Sequence, residues 1–201
     1  MKCKIVTGPN NYDLKKIYED DGTYTIGADI GAYLLAKSDI DFDLALGDFD
    51  SVTLTELDEI KLHAKEVLEY PIKKNSTDTY LAVEEALKRG YDDITIYGGL
   101  GNRIDHSLAN IMLLKLGDVT IVTETEIMYV VDPGTYEINN EYDFVSFFAE
   151  EDVKQLSLKG FDYELDNYDL NVADPLCVSN RGKGTISFTE GSLLVIHQKE
   201  S

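Results

Sequence analysis

The stretch LALGDFDSVTLTELDEIKLH, residues 44–63, changes character in its middle. Leu44–Leu46 is a short apolar run, Gly47 ends it, and Asp48 and Asp50 follow one residue apart. Residues 53–63 then read as a helix. A strand, an acidic turn and a helix in succession form the repeating unit of α/β folds. Asp is a favoured turn residue, which accounts for one aspartate and also fits both. On an extended chain, however, alternate residues point the same way. Asp48 and Asp50 would then offer two carboxylates to one guest, and beside phosphates that guest is usually Mg²⁺.

Outward from this stretch the pattern repeats. KIVTG, YTIGAD, LALGDFD, VLEYP, ITIYGG and VTIVTE read as strands rich in Val, Ile, Leu and Tyr. Helices are expected near 12–20, 30–36, 53–63, 78–89 and 104–116. In the last, Ile104, Leu108 and Ile111 recur at the spacing of one buried helical face. The alternation predicts a mostly parallel sheet flanked by helices over residues 1–123. Beyond about residue 124 helical periodicity disappears. GTYEI, DFVSFFA, VKQLSLKG, PLCVSN, GTISF and SLLVIHQ read as short strands, which predicts an antiparallel β-sandwich over 124–201.

Composition narrows the function. The chain has 201 residues, 43% hydrophobic and 28% charged, and a net charge of −20 from 38 acids against 18 bases. Nucleic-acid binding needs clustered Lys and Arg, so no nucleic-acid partner is expected, whereas cations are favoured. No apolar run is long enough to span a bilayer, and MKCKIVTG is interrupted too soon for a signal peptide. A cytoplasmic protein without membrane association is expected. Cys3 and Cys177 lack metal-ligand spacing and read as free, buried thiols.

In an open α/β sheet, ligands bind beyond the carboxyl ends of the strands. There the sequence puts Asp29 after YTIGA, Asp48 and Asp50 after LALG, and Gly98, Gly99, Gly101 and Arg103 after ITIY. Glycines let a backbone approach a ligand, a helix start offers N–H groups to an anion, and Arg suits phosphate. A plain strand-to-helix turn also fits GGLGNRID, and Asp105 also fits as a dipole partner. Thr77 and Asp78 similarly read as an N-cap and a first-turn acid, but Lys73 and Lys74 before them make a phosphate site plausible.

GADIGA, LGDFDS, TDTYLAVEEAL, GGLGNRIDHSLANIMLL and VSNRGKGTISF, in this order, resemble the thiamin pyrophosphokinase family over residues 4–197. The resemblance implies an α/β domain followed by a β-sandwich, and transfer of a pyrophosphoryl group from ATP to thiamin with release of AMP. It implies Mg²⁺ held by Asp48, Asp50 and Asp78, and catalytic roles for Asp50, Asp78 and Asp105. For ATP it implies Asp29, Lys74, Thr77, Gly98, Gly99, Gly101 and Arg103. For thiamin it implies Ser179, Asn180 and an aromatic stacker, assigned to Tyr163 with Phe161 second. It further implies a homodimer with shared sites. The family's usual Lys-Asp-x-Thr-Asp is here Lys74-Asn75-Ser76-Thr77-Asp78, so position 75 has lost its charge. A non-catalytic sensor on this fold would have lost several such acids.

Overall fold

Six apolar runs become parallel strands in the computed structural model, which describes residues 1–9, 12–73 and 75–200. The chain divides into two units, Met1–Glu124 and Thr125–Ser201. In the first, β1 (Lys2–Val6), β2 (Tyr24–Ala28), β3 (Phe42–Gly47), β4 (Ala64–Glu69), β5 (Asp93–Tyr97) and β6 (Asp118–Val122) pair in the order 4-3-2-1-5-6. Every pairing is parallel. The chain builds leftwards from β1 to β4 and then returns to the other side of β1. The topological switch point therefore lies between β1 and β5, where a ligand crevice is expected at the carboxyl ends.

Among the described residues four helices cover the sheet: α1 (Ile30–Ala36), α2 (Leu54–His63), α3 (Asp78–Lys88) and α4 (Ile104–Met112). Their starts follow the sequence chemistry. Thr53 and Glu56 close a capping box on α2, and the Thr77 hydroxyl accepts the Tyr80 N–H on α3. On one face, Leu34 and Leu35 of α1 and Ile60 of α2 share a core with Val6, Phe42 and Ala45. Helix α1 sits so close that a Cβ on Gly31 would lie 2.0 Å from the Val6 carbonyl oxygen. Helix α3 buries Ala82, Val83 and Ala86 and packs on β1, β2 and β3. At its far end, Arg89 ties Glu85 of α3, Glu66 of β4 and the Tyr24 hydroxyl together at 2.7–2.9 Å.

Two helical expectations fail. Of the expected 12–20 helix, the described part forms only a short 3₁₀ turn, Leu14–Lys16, with Leu14 and Tyr18 as its core anchors. Two anchors four residues apart need one turn, not a helix. In α4, Ile104 and Leu108 of the expected face are 72% and 58% exposed, as is Met112 at 67%, and Ile111 is half-buried. The apolar stripe exists but faces solvent, while Asn110, Leu113 and Leu114 are buried. Leu113–Leu116 finishes the helix as a 3₁₀ turn.

The second unit is antiparallel: β7 (Glu126–Val131), β8 (Gly134–Ile138), β9 (Phe144–Lys159), β10 (Leu165–Leu170), β11 (Gly184–Phe188) and β12 (Glu190–Gln198). The first part of β9 pairs with β12, which pairs with β7. Its last residues pair with β10 and β11, and β11 pairs with β8. The two segments read as DFVSFFA and VKQLSLKG are thus one strand serving two sheets. Gln155 inside it is left-handed (φ 56°), and its N–H is held by Asp169. The inward positions change there from odd (Val145, Phe147, Val153) to even (Leu156, Leu158). These residues, with Phe161, Leu170, Ile186, Leu193 and Val195, form the core.

PLCVSN is not a strand. Pro175 and the left-handed Ser179 (φ 59°) break it, leaving two backbone–backbone hydrogen bonds to β9, Val145 N–H to Asn180 O and Phe147 N–H to Cys177 O. Strands β7 and β10 were not expected from the sequence. Buried His197 hydrogen-bonds Asn140 Oδ1 through Nδ1 (2.9 Å) and the Tyr129 hydroxyl through Nε2 (3.1 Å). Asn140 also bonds the Tyr142 backbone through both side-chain atoms. Its oxygen is thereby fixed as an acceptor, so Nδ1 carries the proton. Both cysteines are buried and unpaired. Among the described residues no helix is long and apolar enough to cross a membrane.

Candidate active site

At the switch point a crevice of about 390 Å³ opens between strand ends and helix starts. Thr7, Gly8 and Pro9 after β1 form one wall, with Gly99, Gly101, Asn102 and Arg103 after β5. The starts of α1 and α3 supply Asp29, Ile30 and Thr77–Thr79, and α4 adds His106, Ser107 and Asn110.

Beside it, carboxylate oxygens of Asp29, Asp48 and Asp50 lie within 4.8 Å of one another. Strand alternation does not bring Asp48 and Asp50 together. Strand β3 ends at Gly47, Phe49 turns left-handed (φ 53°), and its buried ring joins the core. The Asp50 N–H donates to Asp48 Oδ1 at 3.3 Å. Burying the phenyl ring turns the two flanking carboxylates out together. Asp29 is itself left-handed (φ 50°) and half-buried, its Oδ2 accepting the Ser51 hydroxyl. Its Oδ1 is buried without a hydrogen-bond partner. Burial, then the Asp78 and Asp48 charges, raise its carboxyl pKa against the bonds from Ser51 and Ile30. Three carboxylates with a buried, unsatisfied oxygen form an all-oxygen donor set that fits a hard divalent cation such as Mg²⁺. Asp78 is outside that group, but its Oδ1 lies 3.2 Å from where a Cβ on Gly47 would stand.

The backbone amides of the glycine loop are engaged within the fold. Gly98 N–H donates to Val122 O (2.9 Å), Gly99 N–H to Gly8 O (2.6 Å), and Gly101 N–H to Ser107 Oγ (3.1 Å). All three glycine amides are spent on the fold. Their role is steric: a Cβ on Gly98 would lie 2.6 Å from Thr7 O and 2.8 Å from the Tyr12 hydroxyl. Arg103 and Asp105 pair on the surface at 2.7 Å, and Arg103 holds the Asp105 carboxyl below the usual carboxylate range. Lys74 lies outside the described residues.

In the second unit Tyr163 is 71% exposed. Asn180 is buried, its Oδ1 accepting the Tyr163 and Arg181 N–H groups and its Nδ2 donating to Tyr163 O. The neighbouring Ser179 N–H donates to Ser146 Oγ. Phe161 is a core residue packed edge-on against Phe147, which removes it as a stacker.

Two family models match the chain: the thiamin pyrophosphokinase catalytic domain over residues 16–123, and the thiamin pyrophosphokinase vitamin B1 binding domain over 135–193. The chain belongs to the thiamin pyrophosphokinase family. It is 34% identical to a thiamine pyrophosphokinase of Bacillus subtilis strain 168, covering 98% of this chain and 97% of that protein. A crystal structure of the Bacillus subtilis protein superposes with a TM-score of 0.89 over both whole chains at 34% identity. A thiamin pyrophosphokinase family protein of Enterococcus faecalis gives 0.87 at 28% identity, again over both whole chains. The enzyme of Geobacillus thermodenitrificans gives 0.85 at 31%, over 100% of this chain and 99% of that one. Thiamin pyrophosphokinases form thiamin diphosphate, and this chain is an enzyme of that family. Its α/β unit with antiparallel strands after it is the expected architecture.

Sequence reasoning missed Thr7, Gly8, Pro9, Ser51, Thr79, His106, Ser107 and Asn110 near the crevice. Thr7–Pro9 carried a usable signal, since VTGPN ends a strand in the same manner as YTIGAD and ITIYGG.

Proposed function

We propose that the chain transfers the pyrophosphoryl group of ATP to the hydroxyl of thiamin, giving thiamin diphosphate and AMP. The thiamin oxygen bonds the β-phosphorus, and the bond from that phosphorus to the oxygen bridging the α-phosphate breaks. AMP leaves with the bridging oxygen, and the hydroxyl proton passes to a base. The observation that carries this reading is the Asp29–Asp48–Asp50 cluster beside a switch-point crevice. Asp29, Asp48 and Asp50, with Asp78 adjacent, would hold Mg²⁺, which when bound neutralises phosphate charge.

Arg103 meets phosphate by exchanging its exposed Asp105 partner for the nucleotide, while Gly98, Gly99 and Gly101 supply clearance rather than amide donors. Thr77 caps α3, and Lys74 belongs to the same phosphate reading. Asp78 stands beside the acidic cluster, its Oδ1 3.2 Å from where a Cβ on Gly47 would lie, which favours it over the surface Asp105 as the group orienting the thiamin hydroxyl. For the vitamin, the exposed Tyr163 ring offers a face to the cationic thiazolium. Asn180 supports it by fixing the Tyr163 backbone, beside Ser179. The solvent-facing stripe Ile104, Leu108 and Met112 supports a homodimer. Two buried free thiols fit a cytoplasmic location.

Incubation with ATP, Mg²⁺ and thiamin is expected to yield AMP and thiamin diphosphate in equal amounts. ADP with thiamin monophosphate, or no turnover, would overturn the reading. Light scattering is expected at twice the 22.5 kDa chain mass; a monomer at assay concentration would remove the dimer.

A further inference from the structure

Deep in the crevice two threonine side chains face each other. Thr7 follows β1 and Thr79 is the second residue of α3; each is 6% exposed, and both line the cavity. Their hydroxyl oxygens are 2.9 Å apart. A hydroxyl carries one hydrogen and can accept two, so this contact consumes one hydrogen of the two. Among the described residues no acceptor takes the other.

The surroundings give that hydrogen a direction. The Thr7 backbone is fully engaged: its N–H donates to Tyr97 O, and its carbonyl accepts the Tyr12 hydroxyl. Its methyl faces Gly99, 3.6 Å from where a Cβ would stand there. The hydroxyl therefore turns away from the glycine loop toward the start of α3. Helices α3 and α4 both begin at this cavity, and helix starts favour anions. Asp29 and Asp78 in the same wall repel them, and among the described lining residues Arg103 is the one Lys or Arg. A bound phosphate here needs neutral donors, and a buried donor without an acceptor is costly.

We infer that the Thr7–Thr79 hydroxyl pair donates a hydrogen bond to a phosphate oxygen of the nucleotide. This rests on the proposed use of ATP and adds two residues to its site. Whichever threonine donates within the pair, the other supplies the hydrogen to the ligand.

The test compares Thr7→Val/Thr79→Val, which keeps shape and deletes both hydroxyls, with Thr7→Ser/Thr79→Ser, which keeps both. In the valine double variant the KM for ATP is expected to rise at least about ten-fold, the scale of a hydrogen bond to a charged group. Its thiamin KM should stay within about two-fold of wild type. Its thermal midpoint should not fall, because removing both partners leaves no lone buried hydroxyl. The serine double variant should retain an ATP KM within about three-fold. A folded valine variant with a wild-type ATP KM, or a serine variant as defective as the valine one, overturns the inference. If the valine double variant does not fold, the single Thr7→Val and Thr79→Val variants decide. At least one must raise the ATP KM, and wild-type values in both refute the pair. A wild-type protein that makes no thiamin diphosphate from ATP refutes the broader reading instead.

Discussion

Replacing Asp29 with Asn should make the protein more stable and less able to bind metal. The carboxylates of Asp29, Asp48 and Asp50 crowd within 4.8 Å, and one oxygen of Asp29 is buried without a partner. Two unit charges 4 Å apart repel by about 1 kcal/mol in bulk water and about 4 kcal/mol at the dielectric typical near a protein surface. Asp50 is exposed, so the lower part of that range applies. Relief of two repulsions then contributes about 1–3 kcal/mol. Asn has the shape of Asp, so the substitution leaves the positive-φ backbone at position 29 (φ 50°, ψ −120°) no more strained than before. Its amide oxygen can still accept the Ser51 hydroxyl, and its N–H₂ can donate toward the neighbouring carboxylates. Each kcal/mol moves the midpoint of a protein of this size by about 2–4 °C. Thermal melts in EDTA should therefore put Asp29→Asn a few degrees above wild type. In Mg²⁺ the order should narrow or reverse, because saturating a site at a hundred times its Kd stabilises by about 2.7 kcal/mol and the variant has lost a charged ligand. A variant melting below wild type in EDTA, or gaining as much as wild type from Mg²⁺, would refute the reasoning.

Asn180→Ala removes three hydrogen bonds at a buried position, two of them to the Tyr163 backbone. It should cost about 2–4 kcal/mol and raise the thiamin KM; an unchanged melt and KM would refute this. Tyr163→Ala should raise the thiamin KM several-fold to tens-fold without moving that for ATP, since an aromatic face over a cation is worth about 0.5–2 kcal/mol. Burial holds the His197 imidazole below its ordinary pKa of 6.5. Below pH 6.5 the unfolded state then binds the proton better, so stability is full above that value and falls as pH drops toward the folded pKa. An NMR titration placing the His197 pKa at or above 6.5 would contradict the sign.

Five of the six parallel strands were legible because buried strands read as apolar runs, each closed by a turn or an acid, whereas the edge strand β4 has no buried residue and showed only through VLEYP. The gathering of acids and glycines at the strand ends was legible for the same reason. Convergence of Asp48 and Asp50 was expected from strand alternation, whereas burial of Phe49 at a left-handed turn produces it. Periodicity in α4 revealed an apolar face but carries no information about what covers it, and Ile104 and Leu108 are open to solvent. Strand β10, LDNYDL, had no apolar alternation to read, because it pairs only with β9 and four of its six residues are exposed. The spent glycine amides were illegible because their acceptors, Val122, Gly8 and Ser107, are distant or unremarkable in sequence.

The inward phase of β9 reverses at Gln155, and the same strand lines both walls of the core. Neither sheet of that unit can then melt alone, because releasing one strips the other of its shared strand. The C-terminal unit is therefore expected to unfold as one cooperative block, with the amides from Val145 to Leu158 exchanging together. Lengthening or shortening the chain by one residue beside Gln155 would be felt on both walls at once, which makes this short crossing the least forgiving point of the second unit.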